Sequence, residues 1–241
     1  MDMEQEYTFD DFKLEDMTGY FASVRKKFIE DSPSLWFDNF FVNAILVRAY
    51  QINKGFIELT NSGNYLCAAP LVRMQLETLC RLFGGLIADG ESYIERFMYG
   101  KKLDNQTFQG KQLTYTTLVE LLSEFHKLTE LPRIYKEGNA FIHPTDIAFK
   151  ASMWNENRTV TIHHLNSKLY EDSEMKAIID DMKYVNLCYP SVLSKYEELF
   201  DQNLEISSGA VSEPLTNPEK IQEVKDTVEK FLDNIKRDTN G

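Results

Sequence analysis

The chain is poor in the residues that advertise chemistry. Of 241 residues, three are cysteine, four histidine, two tryptophan and seven proline. Cys67, Cys80 and Cys188 are odd in number and contain no CxxC pair, which excludes a zinc ribbon and a disulfide framework. Cys67 and Cys80 both fall in apolar helical sequence, so both are expected to be buried free thiols in a reducing compartment. Positive charge is also scarce: 26 Lys and Arg stand against 38 Asp and Glu, a net charge of −12. Such a surface repels phosphate backbones and excludes broad non-specific nucleic-acid binding, leaving RNA only a local basic pocket. Long apolar runs are missing. "FFVNAILV" falls far short of the roughly 20 residues that span a bilayer. The first 16 residues, "MDMEQEYTFDDFKLED", hold seven acids and one lysine, where a signal peptide would be basic and then apolar. A cytoplasmic protein without membrane contact is the expectation.

What is present suits a large core. Hydrophobic residues make up 43% of the chain, including 16 Phe and 12 Tyr, too many for wholesale disorder. The pattern predicts a mainly α protein, a helical bundle with a small β-hairpin insertion. Residues 1–31 read as an acidic segment and a first helix from about Phe12 to Glu30. The core would span 32–204. In it, Ser32 caps and Pro33 starts a helix that reaches about Leu59 and is apolar almost all round. A third helix covers about Asn64 to Ala88, with Pro70 as a kink or late start. A shorter one runs from Ser92 to Leu103, "NQTFQGKQ" reads as a loop, and two more follow near Thr116–Thr129 and Pro132–Ile142. "IAFKASMW" and "RTVTIHHL" predict a hairpin at about 147–165. Helix returns from Ser173 to Asn203, kinked at Pro190. A linker at 205–216 then leads to an amphipathic helix at 217–237, with Ile221, Val224, Val228, Phe231, Leu232 and Ile235 on one stripe.

Two stretches carry candidate chemistry. In "LVRMQLETLCRLFGGL", Arg73, Glu77 and Arg81 recur every four residues, and each such step drifts only about 40° around the axis. Glu77 sits between the two arginines and can pair with both. The stripe reads either as a structural ion-pair ladder or as a polar pocket facing another helix, its arginines open to an anion. The glycines of "FGGL" read as close packing. In "YKEGNAFIHPT", Pro144 ends the helix at His143, and Lys136, Asn139 and His143 fall on one face, within about 60° of one another. They read as a phosphate or ribose site, or as a helix end whose histidine caps carbonyls. Gly138 costs helix stability, about 1 kcal/mol against alanine, and would permit close helix packing. No Walker loop, His-x3-His or Ser-His-Asp arrangement is present, and His163 and His164 point to opposite faces of a strand. No metal or other cofactor is expected.

The long apolar helix, then "LVRMQLE", then a helix ending in "FIHPT", resembles the HEPN-like all-helical proteins of bacteria over roughly residues 35–200. It resembles most those with an R-x3-E helix and a His-Pro-Ser/Thr helix end, and the abortive-infection relatives. The resemblance implies a helical bundle, often dimeric. It also implies a role in bacterial stress or phage defence, in many members as a metal-independent ribonuclease with an Arg-x4–6-His motif. Here His143 matches, and Asn139 matches the polar position. The arginine positions hold Lys136, Glu137 and Gly138. Two functions follow: a degenerate, non-catalytic interaction module that pairs with itself or a protein partner through its helices, or a ribonuclease. The ribonuclease would use His143, Asn139 and Lys136, with Arg73 or Arg81 brought in from the neighbouring helix.

Overall fold

A computed structural model describes residues 12–30, 37–89, 92–101, 103, 106–142, 153–156, 159–162 and 172–209. These hold eight helices and two short hairpins in the order α1 (Leu14–Ile29), α2 (Phe37–Asn61), α3 (Tyr65–Ile87), α4 (Ser92–Met98), β1 (Thr107–Phe108), β2 (Lys111–Gln112), α5 (Tyr115–His126), α6 (Leu131–Ile142), β3 (Met153–Glu156), β4 (Thr159–Ile162), α7 (Asp172–Leu187) and α8 (Tyr189–Gly209). The expected fold class holds: a mainly α bundle with a small antiparallel hairpin.

Helix α3 is the hub, packed against α2 and α4 to α8. Its start is set by Asn64, whose side chain accepts from the Cys67 N–H at 3.3 Å. Pro70 lies inside the helix without ending it. It falls close to the start, and the carbonyl it leaves without its usual partner belongs to the exposed Leu66. Leu76, Leu79, Cys80 and Leu82 are fully buried on it, in one core with Phe41, Leu46 and Phe56 of α2. "FGGL" is close packing, as its composition suggested. A Cβ at Gly84 would stand 2.5 Å from the Tyr93 hydroxyl, and one at Gly85 would stand 2.4 Å from that of Tyr196. Two aromatic side chains therefore press onto the backbone of α3, where any larger residue would collide.

A chain of buried amides crosses this core. Gln75 Nε2 donates to Asn186 Oδ1 (2.7 Å), Asn186 Nδ2 to Asn53 Oδ1 (2.7 Å), and Asn53 Nδ2 to the Leu14 carbonyl (2.8 Å). It ties α3, α7, α2 and α1 together with side chains that are fully buried. Unpaired, each amide would cost about 1–3 kcal/mol, so the network selects one arrangement of the four helices. Nothing in the apolar periodicity pointed to it.

Several boundaries differ from expectation. Cys67 is exposed, while Cys80 and Cys188 are buried, because Cys67 sits in the first turn of α3, on the side away from the core. Helix α4 stops at Met98. "NQTFQGKQ" is no plain loop. Thr107 pairs with Gln112 and Phe108 with Lys111, across a turn in which Gln109 and Gly110 both take positive φ, 49° and 77°. That tight turn normally announces itself as Asn-Gly or Asp-Gly, and glutamine hides it. In the second hairpin Met153 pairs with Ile162 and Glu156 with Thr159, so Asn155 and Glu156 belong to a strand. The long helix expected over 173–203 is two, α7 and α8, parted at Cys188 just before Pro190. Helix α8 continues to Gly209, so the segment expected as a linker from 205 begins as helix. The Ser32 cap, His163, His164 and the C-terminal helix at 217–237 lie outside the described residues.

Candidate functional site

The Arg73–Glu77–Arg81 stripe faces other helices along its length, and its two arginines meet different neighbours. Gly138 brings α6 close to α3 at Arg73: a Cβ there would lie 2.9 Å from the Arg73 Cβ. At that short range the guanidinium reaches across the seam. Its Nε donates to Glu77 at 2.9 Å. Its Nη1 donates to the Tyr135 carbonyl at 3.3 Å and to the side-chain oxygen of Asn139. It also lies 4.1 Å over the Tyr135 ring. The Arg73 side chain is 10% exposed and that of Glu77 22%. A pair so placed is held by its partners, since removing either would leave a poorly solvated charge.

Glu77 therefore serves Arg73, and Arg81 turns elsewhere. Its Nε donates to the Tyr115 hydroxyl at 2.9 Å, and its guanidinium lies 4.2 Å over the Tyr115 ring. The Tyr93 hydroxyl lies against the same group. Burial works against the Arg81 charge, but the Tyr93 and Tyr115 hydroxyls outweigh it and raise its pKa. Burial likewise raises the pKa of both phenols, with Arg81 pulling them partly back.

No family model, curated protein or solved structure matches this chain.

Of the residues singled out in the sequence, Arg73, Glu77 and Asn139 come together in one cluster. Arg81 stands two turns along α3 in another. Lys136 is exposed on α6 and makes none of these bonds. His143 lies outside the described residues, one residue past the end of α6. Asn139 is one turn before it in sequence. Sequence reasoning missed Tyr93, Tyr115 and Tyr135, whose aromatic faces and hydroxyls hold the two guanidinium groups. The available signal was the pairing of half-buried arginines with tyrosines elsewhere on helices, and it carries no spacing. Among the described residues no group of three or more His, Cys, Asp or Glu could hold a metal ion. No helix there is long and apolar enough to cross a membrane.

Proposed function

We propose that the protein is a non-catalytic, HEPN-like helical interaction module, of the kind that serves bacterial stress and phage-defence systems. One observation carries the reading. Arg73, the arginine best placed to replace the missing one of the ribonuclease motif, is committed to Glu77, Asn139 and Tyr135. Catalysis of phosphodiester cleavage needs donors aimed at the charge that develops in the transition state. A guanidinium that must first abandon a partly buried carboxylate is a poor donor of that kind. The net charge of −12 adds a long-range penalty against RNA. The module would act by pairing through its helices, with a second copy of itself or with another helical protein.

A second reading is supported by the same contact. Arg73 of α3 reaches Asn139 of α6, four positions before His143 in the sequence, and a ribonuclease would need an arginine beside that histidine. The test is cleavage of a mixed tRNA and total-RNA pool by the full chain with EDTA present, comparing wild type, His143→Ala and Arg73→Lys. The module predicts equal, background-level cleavage in all three. Cleavage by wild type that is lost in His143→Ala and reduced in Arg73→Lys would establish the ribonuclease.

A further inference from the structure

Residues 217–237 are the motif of the sequence that the proposed function leaves without a place. Their apolar positions step by three and four: Ile221, Val224, Val228, Phe231 and Ile235, with Leu232 beside them. That is a heptad seam, the pattern by which two helices wind about each other. Its a positions are Ile221, Val228 and Ile235, all β-branched, which suits a two-stranded pairing. The fold bears on where this seam starts. The Tyr189 hydroxyl donates to the Gln75 carbonyl at 3.0 Å, and the Tyr196 hydroxyl to the Leu82 carbonyl at 2.8 Å. Both helices advance equally between those bonds, so α8 runs beside α3 in the same direction. From that level α3 ends at Ile87, whereas α8 runs on to Gly209, overshooting by about 12 Å. The chain after Gly209 therefore starts clear of the hub helix. Among the described residues the large exposed apolar side chains are Val47, Leu66, Tyr99, Phe125, Leu187 and Leu199. They lie on α2, α3, the turn after α4, α5, α7 and α8. No two share an element, and a docked amphipathic helix needs a continuous groove.

We propose that residues 217–237 pair with the same residues of a second copy of this chain, as a short two-stranded coiled coil that joins two bundles. This pairing rests on the reading of the chain as an interaction module, and it names the partner. Charge selects this segment. Glu219, Glu223, Asp226, Glu229 and Asp233 are balanced by Lys220, Lys225, Lys230, Lys236 and Arg237, so the net charge of −12 falls on the rest of the chain. Two bundles repel each other, whereas two such arms do not, and an arm set beyond the body keeps the repelling surfaces apart. The pairing is isologous: the same stripe faces itself across a twofold axis. A helix of this length is marginal alone, so the arms pair reversibly and the dimer fills as concentration rises.

The test is sedimentation equilibrium of the full chain, under reducing conditions, across a concentration series. The mass of wild type is expected to rise from 28.0 kDa toward twice that value. Val228→Asp puts a charge at the centre of the seam and should weaken association by about thirtyfold or more, as loss of a central anchor does. Asp226→Ala, on the opposite face, should leave it unchanged. Val228 is the midpoint of the stripe, so it meets its own copy whether the arms run parallel or antiparallel. With Cys67→Ser as background, Val228→Cys should therefore form a disulfide-linked dimer on mild oxidation, and Asp226→Cys should not. A single-chain mass for wild type at every concentration would overturn the pairing, and it is read without any variant. A dimer that survives Val228→Asp, or that cross-links equally at 226 and 228, would overturn the seam as its interface. None of these outcomes touches RNA cleavage, so the pairing can fail while the module stands with a different protein as its partner.

Discussion

Arg73 and Arg81 sit on one face of one helix, two turns apart, and their surroundings differ sharply. Arg73 is 10% exposed on its side chain, with a carboxylate, a carbonyl, an amide and an aromatic face around it. Arg81 has two tyrosines and no carboxylate among the described residues. The stripe spacing treats them as equals. Their difference comes from the neighbouring helices: α6, admitted by Gly138, against α5 and α4, the latter admitted by Gly84. A charge on a core-facing helix thus becomes an ion-paired tie or a guanidinium held by phenols according to what the opposite helix offers it.

The comparison can be broken most directly by removing each arginine. Arg73→Ala should cost about 3 kcal/mol, the penalty for stranding the partner of a mostly buried ion pair. Equilibrium urea unfolding would measure it, and a loss below that of Arg81→Ala would reverse the assignment. Next in size is Gly138→Val. Its branched Cβ collides with Arg73 and should cost about 2 kcal/mol by overpacking. A neutral result would mean that the α3–α6 seam does not depend on the missing side chain.

An alkaline titration tests the burial of the core at the junction of α7 and α8. Burial pushes the Cys188 thiol up from 9.0 to about 12. The folded state therefore holds that proton more tightly than the unfolded chain. The stabilisation is fully present below pH 9 and is lost as pH rises toward about 12, about 1 kcal/mol of it by pH 10. Cys188→Ala should flatten part of the alkaline slope, and an unchanged slope would contradict the thiol's burial. In the native protein Cys67 should react with a thiol reagent at once, while Cys80 and Cys188 wait for unfolding. A small effect is also expected for Arg81→Gln, about 1 kcal/mol, since one hydrogen bond and a half-exposed stack on Tyr115 are lost.

Much of this was legible in the sequence, and what was not has a physical reason. Helix periodicity gave the bundle, the stripe on α3 and the packing role of "FGGL". Asn139 stood out through its place before "FIHPT". The partners of the arginines did not, because Tyr115 and Tyr135 meet α3 across long stretches of chain, and local periods say nothing about which faces oppose. Glu77 had two equally spaced arginines, and α6 decided between them. The buried amides were hidden for another reason. Asn53 and Asn186 look like ordinary solvent-facing positions until all four helices are assembled, although an asparagine inside the nearly all-apolar α2 was a usable hint. The hairpin at Thr107–Gln112 was masked by a glutamine in a position that asparagine usually fills.

The most direct test of the account is a double-mutant cycle between Arg73→Ala and Asn139→Ala, read by urea unfolding of the full chain. If Arg73 is a tie across the α3–α6 seam, the two losses should fall short of adding by about 1–2 kcal/mol. Additivity within about 0.5 kcal/mol would mean that Arg73 is not engaged with α6, and the central claim would fail with it.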